Sequence, residues 1–367
     1  MTDAPDDDFD RALRGRSAAV IADTVPYEEP TGSRLDDWWQ AQLARPGFQR
    51  GFAWGGPIAV TVLASVLRLW DLGTPHELVF DETYYVKDSW TLMHLGYEGS
   101  WPSDANTAFN AGDPNTYNTS PSFIAHPPVG KWVIAAGLAL FGGSDPIGWR
   151  ISVAVAGILL VVVTMLIAKG LFNSPVLTTV AGLLIAIDGN AIVMSRVALL
   201  DTILALFALL GVGAVLLDRR WATRRLDLWL DRREALGRST HWGPSLWWRP
   251  WLLAAGVAFG LAAGVKWSGV YFLAIWAVYS VLSEIFLRRR AGIGFWASSA
   301  ILKQGPVTFL LTVPIAAVAY VASWLGWFLT DGGYYHNWAQ ATNGAWTGPF
   351  AWVPLKIQNW VHYQSAM

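Results

Sequence analysis

Residues 148–171 read “GWRISVAVAGILLVVVTMLIAKGL”. No charge falls between Arg150 and Lys169, and the run is long enough to cross a hydrocarbon core of about 30 Å as one helix. Further apolar blocks lie at roughly 54–72, 127–142, 175–191, 197–217, 250–266, 268–287 and 305–329. Across the 367 residues, 53% are hydrophobic and only 14% charged, and mean hydropathy is +0.34. The 23 tryptophans fit the same class, because Trp collects where lipid headgroups meet hydrocarbon. The pattern predicts an all-α integral membrane protein, a multi-span helical bundle.

Loop charge orients the bundle. The polar stretch 73–126 holds Lys87 as its one Lys or Arg, whereas 218–249 carries Arg219, Arg220, Arg224, Arg225, Arg232, Arg233, Arg238 and Arg249. Arg288, Arg289 and Arg290 form a second basic cluster. The positive-inside bias places both Arg-rich loops in the cytoplasm, and 73–126 and 331–367 outside. Parity then demands an odd number of crossings between 126 and 218, yet four apolar blocks lie there. Blocks 127–142 and 175–191 are the shortest, so one of them is predicted not to span fully. About seven transmembrane helices are expected.

Other features narrow the classes. The net charge of -1 offers no basic field for nucleic acid. No cysteine is present, which removes disulfides, zinc-thiolate sites and thiol catalysis. No apolar signal-peptide core is seen in the first fifty residues. Residues 1–50 are expected to be a cytoplasmic tail, acidic and disordered to about 33, then interfacial around “RLDDWWQAQL” (34–43), with Trp38 and Trp39 on the bilayer. The membrane module is expected over 51–330, and 331–367 reads as the start of a second external loop.

Charged residues recur at the predicted external ends of these segments. Asp81 and Glu82 are adjacent in “LVFDETYYVKD” (78–88), just after the first span. “SPSFIAHPPVGKW” (120–132) brings His126 and Lys131 to the next block, with Lys131 positioned to snorkel back to the surface. “IVMSRVALLDTILALF” (192–207) carries Arg196 and Asp201, and “GLAAGVKWSGVYF” (260–272) carries Lys266. A carboxylate inside an apolar helix costs about 2.5–3.5 kcal/mol unless paired or hydrated. Singly, each residue has a plain explanation: a solvated loop, a helix-start signal, a structural Arg196–Asp201 pair or an anchoring lysine. Together, carboxylates beside cations at a lipid boundary suit a lipid-linked anionic substrate. A transporter's ion pathway would draw on the same inventory.

In this order, “FDETYY”, “HPPVGKW”, “GWRISVAVAG”, “SRVALLD” and “GLAAGVKWSGVYF” resemble the protein O-mannosyltransferase family, over about residues 54–330. The Arg-rich loop and the lack of a signal peptide resemble its actinobacterial branch. The resemblance implies a GT-C-type glycosyltransferase fold in the plasma membrane, with its active site on the extracytoplasmic face. It implies a polyprenyl-phosphate mannose donor, Ser or Thr hydroxyls of secreted proteins as acceptors, met at the secretion channel, and inversion at the anomeric carbon. The family pattern continues through further spans beyond “WVHYQSAM”, so a C-terminally truncated member is expected.

Under that resemblance Asp81 is the general base and Glu82 positions acceptor or sugar. His126, Lys131, Arg196, Asp201 and Lys266 are the candidates for binding substrate, with Lys131, Arg196 and Lys266 on the phosphate side. Arg150 in “GWRISV” matches a family arginine and is a further candidate, a structural role being its alternative. A lipid phosphate is a good leaving group, so one base suffices. No cofactor and no obligatory metal are expected, although Asp81 with Glu82 would be the pair to hold a divalent ion. Two alternatives stay open: a related transferase using another lipid-linked sugar, such as an arabinose or aminoarabinose donor, on a glycolipid, and a non-enzymatic transporter.

Overall fold

A computed structural model describes residues 33–367; the acidic tail predicted to be disordered falls almost wholly outside the described residues. The described chain divides into two units at Gly55/Gly56. In the first, Ser33 caps α1 (Arg34–Leu43), and Trp39 packs edge-on against Phe48 and Phe52, with ring centroids 5.8 Å apart in both pairs. α2 (Pro46–Leu69) begins there and continues into the second unit.

The second unit is helical throughout its membrane part. It contains α3 (Glu82–Leu95), α4 (Ala105–Asn110), α5 (Val129–Phe141), α6 (Pro146–Phe172), α7 (Pro175–Ile187), α8 (Gly189–Arg196) and α9 (Leu200–Ala235). α10 (Pro250–Val265), α11 (Gly269–Arg290), α12 (Gly305–Ser323), α13 (Leu325–Leu329), α14 (Trp338–Thr342) and α15 (Leu355–Ala366) follow. Short polar signals set the boundaries. Asp145 caps α6 through the Ile147 amide at 2.7 Å, with Pro146 in the first turn. Asn173 ends α6 in the left-handed region, and Ser174 caps α7. At Asp188 the chain turns extended and the carboxylate caps α8 through the Ala191 amide, so α7 and α8 meet at a bend of 60°.

Five helical segments among the described residues are long and apolar enough to cross a membrane, six if α7 and α8 count as one broken span. α5 and α10 are shorter apolar helices, and packing decides what each does. α5 starts with Gly130 against Leu200 and Val265, where α9 begins and α10 ends. Just past its other end, Gly143 lies against Trp90 and Pro114 of the 73–126 segment. Both ends of α5 therefore sit at one end of the bundle, and its 13 residues, about 20 Å of helix, do not cross. α7 does traverse: it leaves the far end beside α6, and its last turn receives Arg68, which donates to the Ile185 and Ala186 carbonyls at 3.1 Å. Block 127–142 is thus the short block that does not span, α7 and α8 count together as one broken span, and α2, α6, α9, α10, α11 and α12 run the length of the bundle.

Close packing holds α10 in the middle. A Cβ on Gly256 would lie 2.8 Å from the Thr312 carbonyl oxygen, and one on Gly260 only 2.3 Å from that of Ala316. Only glycine lets α10 and α12 approach this closely. At the Arg-rich end, Arg249 pairs with Asp218 and, at 2.7 Å, with Glu284, while Arg288 adds a 3.2 Å bond to Glu284. Gln304 closes that end by accepting the Leu246 amide at 2.8 Å.

The opposite end is built around Glu82 and Arg150, both essentially inaccessible to solvent. Arg150 Nε and one terminal nitrogen donate to the two Glu82 oxygens at 2.9 Å each. Its remaining donors reach the carbonyls of Leu72 (3.2 Å), Pro75 (2.9 Å) and Glu77 (2.9 Å). Glu82 also accepts the amides of Val79 at 3.0 Å and Ala198 at 2.8 Å. One pair therefore joins α3, α6, the 72–79 turn and the segment before α9. Beside it, residues 331–367 fold rather than merely begin a loop: Tyr363 accepts the Ile124 amide at 3.3 Å and packs with Trp324 and Trp327.

Two stability measurements follow. Gly260→Val drives side-chain atoms into the α12 backbone and is expected to cost about 1–3 kcal/mol, read as a lower thermal midpoint in detergent. Arg150→Met strands a buried carboxylate and is expected to cost about 3–5 kcal/mol; an unchanged midpoint would refute the keystone role.

Candidate active site

Asp81 enters the site from a strained turn. Phe80, immediately before it, has φ +51°, a left-handed conformation that costs a bulky side chain on the order of 1–3 kcal/mol. Bonds from the Glu82 and Thr83 amides back to the Val79 and Phe80 carbonyls hold that turn. Asp81 then opens α3 without capping it, which leaves its half-buried carboxylate free of the helix. The Tyr85 hydroxyl, one turn along, donates to Asp81 Oδ2 at 3.4 Å. Burial raises the Tyr85 pKa, and the charges of Asp81 and Asp201 raise it further, so the phenol stays protonated.

Three more residues complete the cluster. The His126 ring lies 6.0 Å from that of Tyr85. At the mouth, Lys266 Nζ meets Asp201 Oδ1 at 2.7 Å, with side chains 20% and 46% exposed. Lys266 caps the end of α10 and Asp201 lies in the first turn of α9, so two rigid helices present the ion pair. His126 is lowered by burial first, then by the positive charges of Lys266 and Lys131, and its imidazole is neutral at pH 7.

Four residues assigned to substrate from sequence are engaged elsewhere. Glu82 and Arg150 are buried and saturated by each other and by backbone groups. Lys131 does not snorkel. It is 1% exposed, with Glu98 at 3.0 Å and Asp88 at 3.2 Å. Arg196 is bound to the carbonyls that end α2, Leu67 at 3.1 Å, Trp70 at 2.7 Å and Asp71 at 3.0 Å, and is not the partner of Asp201. Asp81, His126, Asp201 and Lys266 are the sequence candidates brought together in the open. Tyr85, Asp88 and Glu98 were missed, although Tyr85 stands four residues after Asp81, the spacing of helix neighbours.

No group of three His, Asp or Glu side chains able to hold a metal ion occurs among the described residues. Glu82 is committed to Arg150, so the adjacent carboxylates do not form a chelating pair. An apolar groove of about 1070 Å³ runs along one face of α5, from Val129 to Phe141, and on between α6, α10 and α12. Its wall includes Ile151, Val155, Leu206 and Val318, and it begins three residues from His126.

The depressed His126 pKa has a sign that can be checked. The folded state takes up this proton less readily than the unfolded chain, so the contribution to stability is complete above the ordinary histidine value of about 6.5 and is lost as pH falls below it. His126→Gln is expected to flatten that part of the thermal-midpoint profile; an unchanged slope would contradict the burial account.

Residues 58–327 match the family model described as dolichyl-phosphate-mannose-protein mannosyltransferase. A polyprenol-phosphate-mannose–protein mannosyltransferase of Mycolicibacterium smegmatis (strain MKD8) is 32% identical over 330 residues, covering 88% of this chain and 57% of that protein. The one from Corynebacterium glutamicum is 30% identical over 361 residues, 95% of this chain and 62% of the relative. Protein O-mannosyl-transferase 1 of Rattus norvegicus is 27% identical over 230 residues, 58% of this chain and 25% of that one. Among solved structures, the archaeal oligosaccharyltransferase AglB from Archaeoglobus fulgidus, in complex with an inhibitory peptide and a dolichol-phosphate, superimposes with a TM-score of 0.46 at 14% identity, over 87% of this chain and 37% of that one. The chain spans about three fifths of the length of the bacterial relatives. With the family model matched over most of its length, the chain belongs to the dolichyl-phosphate-mannose-protein mannosyltransferase family.

Proposed function

We propose that the protein transfers mannose from polyprenyl-phosphate mannose to Ser or Thr hydroxyls of secreted proteins, with inversion, and that Asp81 is the general base. One observation carries the assignment. Among the carboxylates in and around the cluster, Glu82 pairs with Arg150, Asp88 and Glu98 share Lys131, and Asp201 pairs with Lys266. Asp81 has a neutral phenol as its hydrogen-bond partner and no ion pair among the described residues, which leaves it free to take a proton.

The acceptor hydroxyl loses its proton to Asp81 as its oxygen forms a bond to the anomeric carbon. The bond from that carbon to the phosphate oxygen breaks on the opposite face, and polyprenyl phosphate leaves with the electron pair. Lys266 supplies the cation for the departing phosphate, and neutral His126 a hydrogen bond. The polyprenyl chain lies in the groove along α5, whose apolar walls match it. Tyr85 orients Asp81 without competing for its proton. The phosphate needs no acid to leave, so we assign no step to a metal.

The arginine clusters at the other end of the bundle support a site on the outer face of the plasma membrane. Acceptors reach it as extended chains leaving the secretion channel, and Phe80 and Tyr84, exposed on either side of Asp81, offer an apolar footing. In membranes supplied with radiolabelled polyprenyl-phosphate mannose and a Ser/Thr-rich peptide, Asp81→Asn is expected to lower transfer by about 10²–10⁴-fold at unchanged expression. Undiminished transfer would move the base elsewhere.

A further inference from the structure

We propose that the Arg-rich end of the bundle holds a binding site for an anionic phospholipid, with its phosphate on Arg219 and Arg220 and an acyl chain in the wedge between α6 and α10. A second groove, of about 950 Å³, occupies that wedge and has α9 as its floor. Leu166, Phe207, Leu210 and Ala258 are typical of its walls. Arg219, Arg220 and Thr223 are the charged and hydroxyl-bearing residues in the lining, and all three lie at one end.

Neither arginine has an acidic partner among the described residues. Arg219 donates to the Tyr279 hydroxyl at 3.2 Å, and Arg220 to the Gly170 carbonyl. Both partners are neutral, and both guanidinium groups are exposed. Asp218, the adjacent carboxylate, is buried and consumed by Arg249. Two uncompensated cations therefore sit on the rim of an apolar groove. Their depth is marked independently: Trp251 lines the same groove, and exposed Trp247 and Trp248 lie just before the start of α10, Trp being the residue that seeks the headgroup level. An anionic headgroup over a hydrocarbon tail satisfies both halves at once.

The site is distinct from the one around Asp81. Eighteen residues of continuous helix separate Asp201 from Arg219 on α9, about 27 Å at 1.5 Å per residue. A lipid whose phosphate rests on Arg219 is held a bilayer's thickness from the transfer chemistry, so its occupant is a resident membrane lipid and not a sugar donor.

Native mass spectrometry of the full chain, released from bilayers of mixed phosphatidylglycerol and phosphatidylcholine, reads the site directly. Preferential retention of phosphatidylglycerol is expected. Arg219→Gln/Arg220→Gln is expected to weaken it about thirtyfold, at about fivefold per arginine. Arg232→Gln/Arg233→Gln removes the same charge further along α9 and is expected to leave it unchanged. Gly213→Leu keeps both arginines but fills the groove, where a Cβ already has room at 3.5 Å from Ile167, and is expected to abolish retention. Equal retention of the two lipids, equal loss in both arginine pairs, or displacement of the lipid by inorganic phosphate would overturn the proposal.

Discussion

A buried guanidinium with five donors and a buried carboxylate with two oxygens leave nothing unpaired at the heart of this molecule. Arg150 and Glu82 bind each other, and their remaining valences reach three carbonyls and two amides on segments far apart in sequence. A buried ion pair owes its geometry to such additional bonds, because desolvation offsets most of the charge attraction. The left-handed turn at Phe80, the start of α3 and the stretch before α9 all hang from this pair. Asp81 is set by it without touching it.

Charge elsewhere obeys the same rule. Lys131 is enclosed by two acids, and Asp218, Arg249, Glu284 and Arg288 close on one another among α9, α10 and α11. Inside a bundle every ionised group must find an opposite, so the informative charges are those left over. In the candidate site the remainder includes Asp81, and on the rim of the second groove it includes Arg219 and Arg220.

Much of this was legible in the sequence. The apolar blocks, the arginine asymmetry and the parity argument specify a seven-crossing bundle with one short block out of register, because hydropathy and helix length are local properties. Asp188 and Ser174 announce helix starts through their capping side chains. Which short block fails to cross was not legible: composition alone does not distinguish α5 from α7, and the answer depends on where Gly130 and Gly143 pack. The functional residues divide the same way. Asp81, His126, Asp201 and Lys266 were readable as polar groups at helix ends, but partner choice is a three-dimensional property. The sequence offers Glu82, Lys131, Arg150 and Arg196 as candidate substrate ligands, and the folded hydrogen bonds and ion pairs show what each one holds. Tyr85 went unnoticed because the segment around it reads as loop until a helix is placed there.

A bundle in which α5 turns back resembles a cask with one stave cut short. The shortened stave leaves a slot in the wall facing the lipid, and the groove along α5 is that slot. On the proposed function, a long isoprenoid would enter sideways, with its first units inside the protein and the remainder still in the bilayer. No length of chain has to be drawn through water or measured by the wall. Recognition, on that function, would rest on the head of the lipid and the first few units behind it, whatever the length of the tail.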